Sequence, residues 1–226
     1  MKVAVLGTGM VGQALAGRLT ELGHEVTVGT RDVAATLART EPGGSGNPPY
    51  AVWGQAHLQV RLATFADAAA SAELLVNATP GHVSIAALTA AGRGNLAGKV
   101  LLDIANPLDF SRGFPPTLFV KDTDSLGEQI QAAFPELKVV KALNTLTASL
   151  MVNPGQLAGG QHSVFVAGND TDAKKTVTVL LESFGHTDVL DVGDITSARG
   201  TEMYLPLWLR LMGALNTGVF NIKVVR

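Results

Sequence analysis

No cysteine occurs among the 226 residues. That excludes disulfide frameworks, thiolate metal sites and cysteine nucleophiles, and it fits a reducing, cytoplasmic compartment. Charge is sparse: 16% of residues are charged and the formal net charge is -2. No basic stripe interrupts the pattern, so nucleic acid is not an expected partner. The apolar run at residues 3–6 is too short for the core of a secretion signal. No HExxH pair, Ser/His/Asp signature or carboxylate cluster at metal spacing is present, so no metal site is expected.

Long hydrophobic runs are also scarce. Residues 203–222 form one apolar stretch, but Arg210 stands in its middle, with Pro206 and Asn216 beside it. A central arginine costs about 2.5–3.5 kcal/mol on insertion. The stretch therefore reads as a buried or interface helix rather than a membrane span.

What is abundant is apolar sequence, 46% of the chain, in a rhythm of strands and helices. Strands are expected at residues 3–6, 26–28, 60–63, 74–78, 100–104 and 138–143. Helices are expected at 10–22, 33–39, 65–71, 83–91 and 125–134, with 110–123 irregular. A strand at 163–167, a helix at 171–184 and a strand at 187–191 follow, and a long apolar helix covers about 196–217. Alternation of this kind implies a doubly wound, mostly parallel α/β sheet. The division expected is a nucleotide-binding domain over 1–145 and a small α/β extension over 146–226, packed as one unit. Residues 41–55, EPGGSGNPPYAVWGQ, read as a surface insertion or, more sharply, as a lid beside a ligand.

Gly7-Thr8-Gly9-Met10-Val11-Gly12 matches G-x-G-x-x-G. It follows a strand directly and opens a helix, which is the setting that gives the string meaning. Gly7 allows the tight turn, Gly9 lets backbone approach a pyrophosphate, and Gly12 lets helix and strand pack closely. The helix N-terminus adds unpaired N–H groups and the positive dipole end.

The second strand ends Gly29-Thr30-Arg31-Asp32. An NAD site carries an acid about 20 residues beyond the glycines. Thr30 occupies that register, with Arg31 beside it. A threonine hydroxyl and a guanidinium suit a 2′-phosphate, which an acid would repel. Asp32 reads as the N-cap of the next helix. The expected cofactor is NADP(H).

The chain resembles the NADP oxidoreductases dependent on the deazaflavin coenzyme F420 (F-420). The resemblance runs over nearly the whole length and rests on the glycine turn with Thr8 and on Gly29-Thr30-Arg31. Val140-Lys141-Ala142-Leu143-Asn144-Thr145, Phe165-Val166-Ala167-Gly168-Asn169-Asp170 and Asp191-Val192-Gly193-Asp194 extend it. It implies a homodimer that exchanges hydride between NADP(H) and the deazaflavin. It also implies cofactor contacts from Thr8, Gly9, Met10, Val11, Thr30, Arg31, the strand end near Ala78, and Ala142. The sequence departs from the pattern at Asn144, where members commonly carry His, at Thr147, where they carry Pro nearby, and in the 41–55 loop. Two alternatives stay open: a reductase using another acceptor (a flavin, quinone or carbonyl compound), and a non-enzymatic NADP(H)-sensing module. Enzymes similar to 6-phosphogluconate dehydrogenase share the first domain but add a large helical domain, for which too few residues remain.

Ligands lie beyond the carboxyl ends of strands in open parallel sheets. Three such ends carry small or amide residues: Ala78-Thr79-Pro80, Asn106 and Asn144. Hydride transfer between two cofactors mostly needs ring alignment, so no catalytic residue is assigned. His82 lies near the expected mouth as a proton-donor candidate, and Asp103 reads as structural. The apolar final helix exceeds a single stripe, which points to a dimer interface.

Overall fold

The computed structural model describes residues 1–43 and 46–226. Its strands are β1 (Lys2–Leu6), β2 (Glu25–Thr30), β3 (Arg61–Thr64), β4 (Leu74–Asn77), β5 (Val100–Asp103), β6 (Leu108–Asp109), β7 (Thr117–Leu118), β8 (Lys138–Ala142), β9 (Val164–Gly168) and β10 (Val189–Asp191). The helices are α1 (Met10–Glu21), α2 (Val33–Ala38), α3 (Tyr50–Gln55), α4 (Phe65–Ser71), α5 (Gly81–Ala91) and α6 (Arg93–Leu96), followed by α7 (Leu126–Ala133), α8 (Ala148–Val152), α9 (Thr171–Phe184), α10 (Ala198–Met203) and α11 (Leu205–Leu215).

Eight strands form one sheet in the order β10-β9-β8-β5-β4-β1-β2-β3. Neighbours are parallel except β8 and β9, which pair antiparallel. Two βαβ halves thus diverge from β1 and β4, and their divergence opens a crevice at the carboxyl ends of both strands. The sheet continues without a break across residue 145.

The strands are apolar on both faces because helices cover both. Val3 and Val5 point into one core with Leu15 and Leu19 of α1 and Val177 and Leu181 of α9. Ala4 and Leu6 point into the other, with Leu88 of α5 and Leu126 and Ile130 of α7. Leu15 and Leu19 are fully buried, so truncating either to alanine costs about 2–5 kcal/mol.

Three expectations change. The 110–123 segment closes into a small antiparallel hairpin of β6 and β7. The 41–55 loop ends in α3, while Gly44 and Ser45 lie outside the described residues. The single helix expected over 196–217 is instead a 3-10 turn at Ile195–Ser197 and two helices, α10 and α11. Pro206 at the start of α11 has no N–H to give the Glu202 carbonyl, which interrupts the helical ladder. Nor is this end buried on all sides: Leu205 and Leu209 are buried, while Leu207 and Leu215 are 55% and 54% exposed. Among the described residues no helix is long and apolar enough to cross a membrane, and no metal-binding cluster of His, Cys, Asp or Glu occurs.

Candidate functional site

The glycine turn is forced by sterics. Gly7 has φ +122, and a Cβ there would stand 2.6 Å from the Ala78 carbonyl oxygen. A Cβ on Gly12 would stand 2.1 Å from the Gly7 carbonyl oxygen. At Gly9, by contrast, a Cβ meets nothing within 4 Å, so this side of the turn is open. Helix α1 starts there without a side-chain cap and without an acid in its first turn. Its first N–H groups thus remain for an anion, and the positive dipole end favours one. This open, uncapped cradle fits a dinucleotide pyrophosphate.

A cleft of about 840 Å³ lies above the turn. Gly7, Thr8, Gly9, Met10 and Val11 form its floor. Thr30 and Arg31 border one end, Ala78, Thr79 and Pro80 the middle, and Asn106 the other side. Gly12 lies beneath the turn, and Ala142 and Asn144 are 1% and 3% exposed behind the lining.

Thr30 is more committed than its sequence position implies. The Thr36 hydroxyl donates to the Asp32 carbonyl at 2.7 Å. In the 2.8 Å Thr30–Thr36 pair the proton therefore comes from Thr30. That leaves Thr30 lone pairs, not a free proton, toward the cleft, so Arg31 becomes the main donor at this end. Asp32 caps α2 through Ala35 N–H at 2.9 Å, as its sequence context implies. Arg39, which the sequence reading passed over, lines the same cleft. Its signal was a second arginine directly after the end of α2. Among the described residues neither arginine forms an ion pair.

The 41–55 segment packs against the turn. Gln13 Nε2 donates to the carbonyls of Thr8 at 3.0 Å and Pro48 at 2.9 Å. A small recess between them is lined by Thr8, Gly9, Arg39, Pro48 and Tyr50. Burial pushes the Tyr50 phenol up to about 12.

Behind the middle of the cleft lies a buried polar network. Asn77 donates to Asp103 at 2.8 Å and accepts from the Thr79 hydroxyl at 2.7 Å. Lys141, with a side chain 0% exposed, pairs with Asp103 and Glu202, both at 2.8 Å. Its ammonium also donates to the Ala105 carbonyl. Glu202 accepts from the Leu126 and Gly127 N–H groups at 2.8 and 3.0 Å, capping α7 from α10. Burial alone lowers the Lys141 pKa, but the Asp103 and Glu202 charges outweigh it and hold it above the ordinary lysine value. Asp103 is thus held in a buried, ion-paired network behind the cleft. Lys141 and Glu202 were missed, although a lysine inside the apolar run Val139-Val140-Lys141-Ala142 signals a buried partner.

At the third strand end, Gly81 presses on Asn106: a Cβ on Gly81 would stand 2.1 Å from the Asn106 carbonyl oxygen. Beyond it, Leu108, Phe110, Leu146 and Met151 make the cleft apolar. His82 lines the mouth and is exposed.

A doubly wound sheet with an uncapped glycine turn and a cleft at its switch point is the architecture of a dinucleotide-binding protein. Residues 2–107 match the family model described as NADP oxidoreductase, coenzyme F420-dependent. The chain is 66% identical to a candidate F420-dependent NADP reductase from Arthrobacter sp. FB24 seen in a crystal structure, with TM-score 0.97 and 100% of both chains covered. The F420-dependent NADP reductase of Methanothermobacter marburgensis is 29% identical over 93% of this chain and 92% of its own. Metalloreductase STEAP3 of Rattus norvegicus is also 29% identical over 92% of this chain, which spans 38% of that protein's length. The chain belongs to the coenzyme F420-dependent NADP oxidoreductase family and is an NADP-dependent oxidoreductase.

Proposed function

We propose that the protein exchanges hydride between NADP(H) and the deazaflavin coenzyme F420. The observation that carries this reading is the make-up of the cleft. Among the described residues no carboxylate lines it, and its far end is apolar, with Ile104, Leu108, Phe110, Leu146 and Met151. Such a surface suits two flat rings laid together and offers little for acid–base work. NADP(H) bound there would supply hydride chemistry, with the deazaflavin as the partner and water as the source of the accompanying proton.

The chain's own part is to bind, orient and exclude water. Gly7, Thr8, Gly9, Met10 and Val11 hold the pyrophosphate, with Gly12 keeping the turn closed. Arg31, with Thr30 beside it, holds the 2′-phosphate. Ala78, Thr79, Pro80 and Asn106 border the nicotinamide end, while Ala142 and Asn144 support it from behind. The exposed apolar side of α11 supports a homodimer.

A second reading, reduction of a carbonyl compound, rests on His82 at the cleft mouth as proton donor. One assay separates the two. Oxidised F420 is mixed with NADPH and catalytic protein, and the visible deazaflavin band is followed, with NADH as control. Bleaching with NADPH alone supports the proposal. An unchanged band, with NADPH bound, overturns the deazaflavin as partner.

A further inference from the structure

The Asp103–Lys141–Glu202 cluster contains two carboxylates and one ammonium in direct contact. Its side chains are between 0% and 2% exposed. It therefore buries one unbalanced negative charge. Stability gives little reason for this, because even balanced buried ion pairs often do no better than apolar residues of the same volume. The N-terminus of α7, which Glu202 caps, offsets about half of that charge.

The location of the cluster is the second observation. Lys141 donates to the Ala105 carbonyl, and Asp103 accepts from the Ala105 N–H at 3.3 Å. Ala105 lines the cleft, next to Asn106. Through Asn77, the same Asp103 reaches Thr79, another lining residue. One buried anion thus stands directly behind both strand ends that border the nicotinamide end in the proposed function, on which this inference rests. The oxidised nicotinamide ring carries a positive charge and the reduced ring none. A fixed negative charge in a buried site is poorly screened and lowers the energy of the cationic form.

We infer that Asp103, Lys141 and Glu202 form an electrostatic positioning element that makes the site hold NADP+ more tightly than NADPH, and so biases hydride flow out of NADPH on the protein. Asp103 and Glu202 supply the charge. Lys141 bridges the two carboxylates and fixes the Ala105 carbonyl. Removing one carboxylate charge from this cluster, at an effective dielectric near 20, is expected to change the ratio of the two affinities by about tenfold.

The test is calorimetric titration of the full chain with NADP+, NADPH and 2′,5′-ADP, which has no nicotinamide. The wild type is expected to bind NADP+ the more tightly. E202Q and D103N should each cut that preference by about tenfold and leave 2′,5′-ADP unaffected. L126A, which loosens packing at the same helix start without changing charge, should leave the ratio alone. The inference is overturned if the wild type prefers NADPH, if neither charge variant moves the ratio, or if L126A moves it equally. If E202Q and D103N both fail to fold, the wild-type preference alone decides. If the wild type binds no dinucleotide at all, the nucleotide reading itself fails.

Discussion

Asn106 and Asn144 hold each other by reciprocal hydrogen bonds across two strand ends. Asn106 Nδ2 donates to the Asn144 carbonyl at 2.8 Å, and Asn144 Nδ2 donates to Asn106 Oδ1 at 3.0 Å. Asn144 Nδ2 also reaches the Thr201 carbonyl at 3.1 Å, so the clasp extends to α10. Asn106 borders the cleft and Asn144 does not, which makes Asn144 a positioning residue.

Asn144→Ala should therefore separate binding from turnover. It removes the partner of Asn106 Oδ1 and the side-chain bond to the Thr201 carbonyl. A loss of about 1–3 kcal/mol in stability is expected, together with a fall of about tenfold in kcat. The KM for NADPH should barely change, because the phosphate contacts are elsewhere. Steady-state kinetics with a thermal melt checks both; a rise in KM alone would contradict the assignment.

Two glycines of the turn should respond differently to the same added methyl. Gly12→Ala forces a Cβ against the Gly7 carbonyl, so the melting temperature should fall by the equivalent of about 1–3 kcal/mol. Gly9→Ala meets open space and should melt like the wild type, yet bind NADPH more weakly, because the methyl stands where the pyrophosphate comes closest. Thermal melts with and without NADPH distinguish the two.

Arg31→Ala should weaken NADPH binding by about 10- to 100-fold, the worth of a charged hydrogen bond, and leave NADH binding nearly unchanged. Arg39→Ala should act in the same direction but less, because Arg39 lines the cleft from the far end of α2, just past Ala38. Paired titrations with the two dinucleotides measure this. Equal losses for both would remove the 2′-phosphate from this end of the cleft.

Acid should loosen the C-terminal half first. Burial lowers the His186 imidazole to about 4, against about 6.5 in an unfolded chain. A depressed folded value means its contribution is complete above about pH 6.5 and is lost as pH falls toward 4, on the order of 3 kcal/mol in all. Asp188 adds a lower window. Its bonds from Lys223 and Ser163 hold it near 2, so the tail's attachment weakens only as pH falls from about 4 toward that value. Denaturant melts should show stability level above about pH 6.5 and falling from there to about pH 4, and His186→Gln should flatten that fall.

Leu207→Asp should convert a dimer to a monomer. Leu207 and Leu215 are exposed on α11, and Met203 is exposed on α10. Light scattering after gel filtration reads the mass directly. A monomeric wild type would refute the homodimer.

The glycine turn was legible because it is local. Gly7 and Gly12 are required by backbone sterics and Gly9 leaves open space, features that a short string already specifies. The doubly wound, mostly parallel sheet followed from alternation in the same way. The chemistry behind the cleft was not legible, because Asp103, Lys141 and Glu202 come together only after β5, β8 and α10 have been placed. Lys141 was a visible anomaly in an apolar strand, but nothing in the string names its partners. The antiparallel turn of β9 was hidden for a related reason: a strand fixes its own faces, not its direction beside a neighbour. At the last helix the proline was noticed, yet its effect was underestimated, since apolar periodicity continues on both sides of Pro206.

The Gln13 bridge from Thr8 to Pro48 has an optical consequence. The segment it anchors leads into α3, where Trp53 stacks on His57 with ring centroids 4.0 Å apart. The other tryptophan, Trp208, stacks on Phe220 far along the chain. Replacing Trp208 with Phe would leave one indole, wired through α3 and a single glutamine to the glycine turn. Its emission would then report directly on whether the loop and the turn move together when a nucleotide enters.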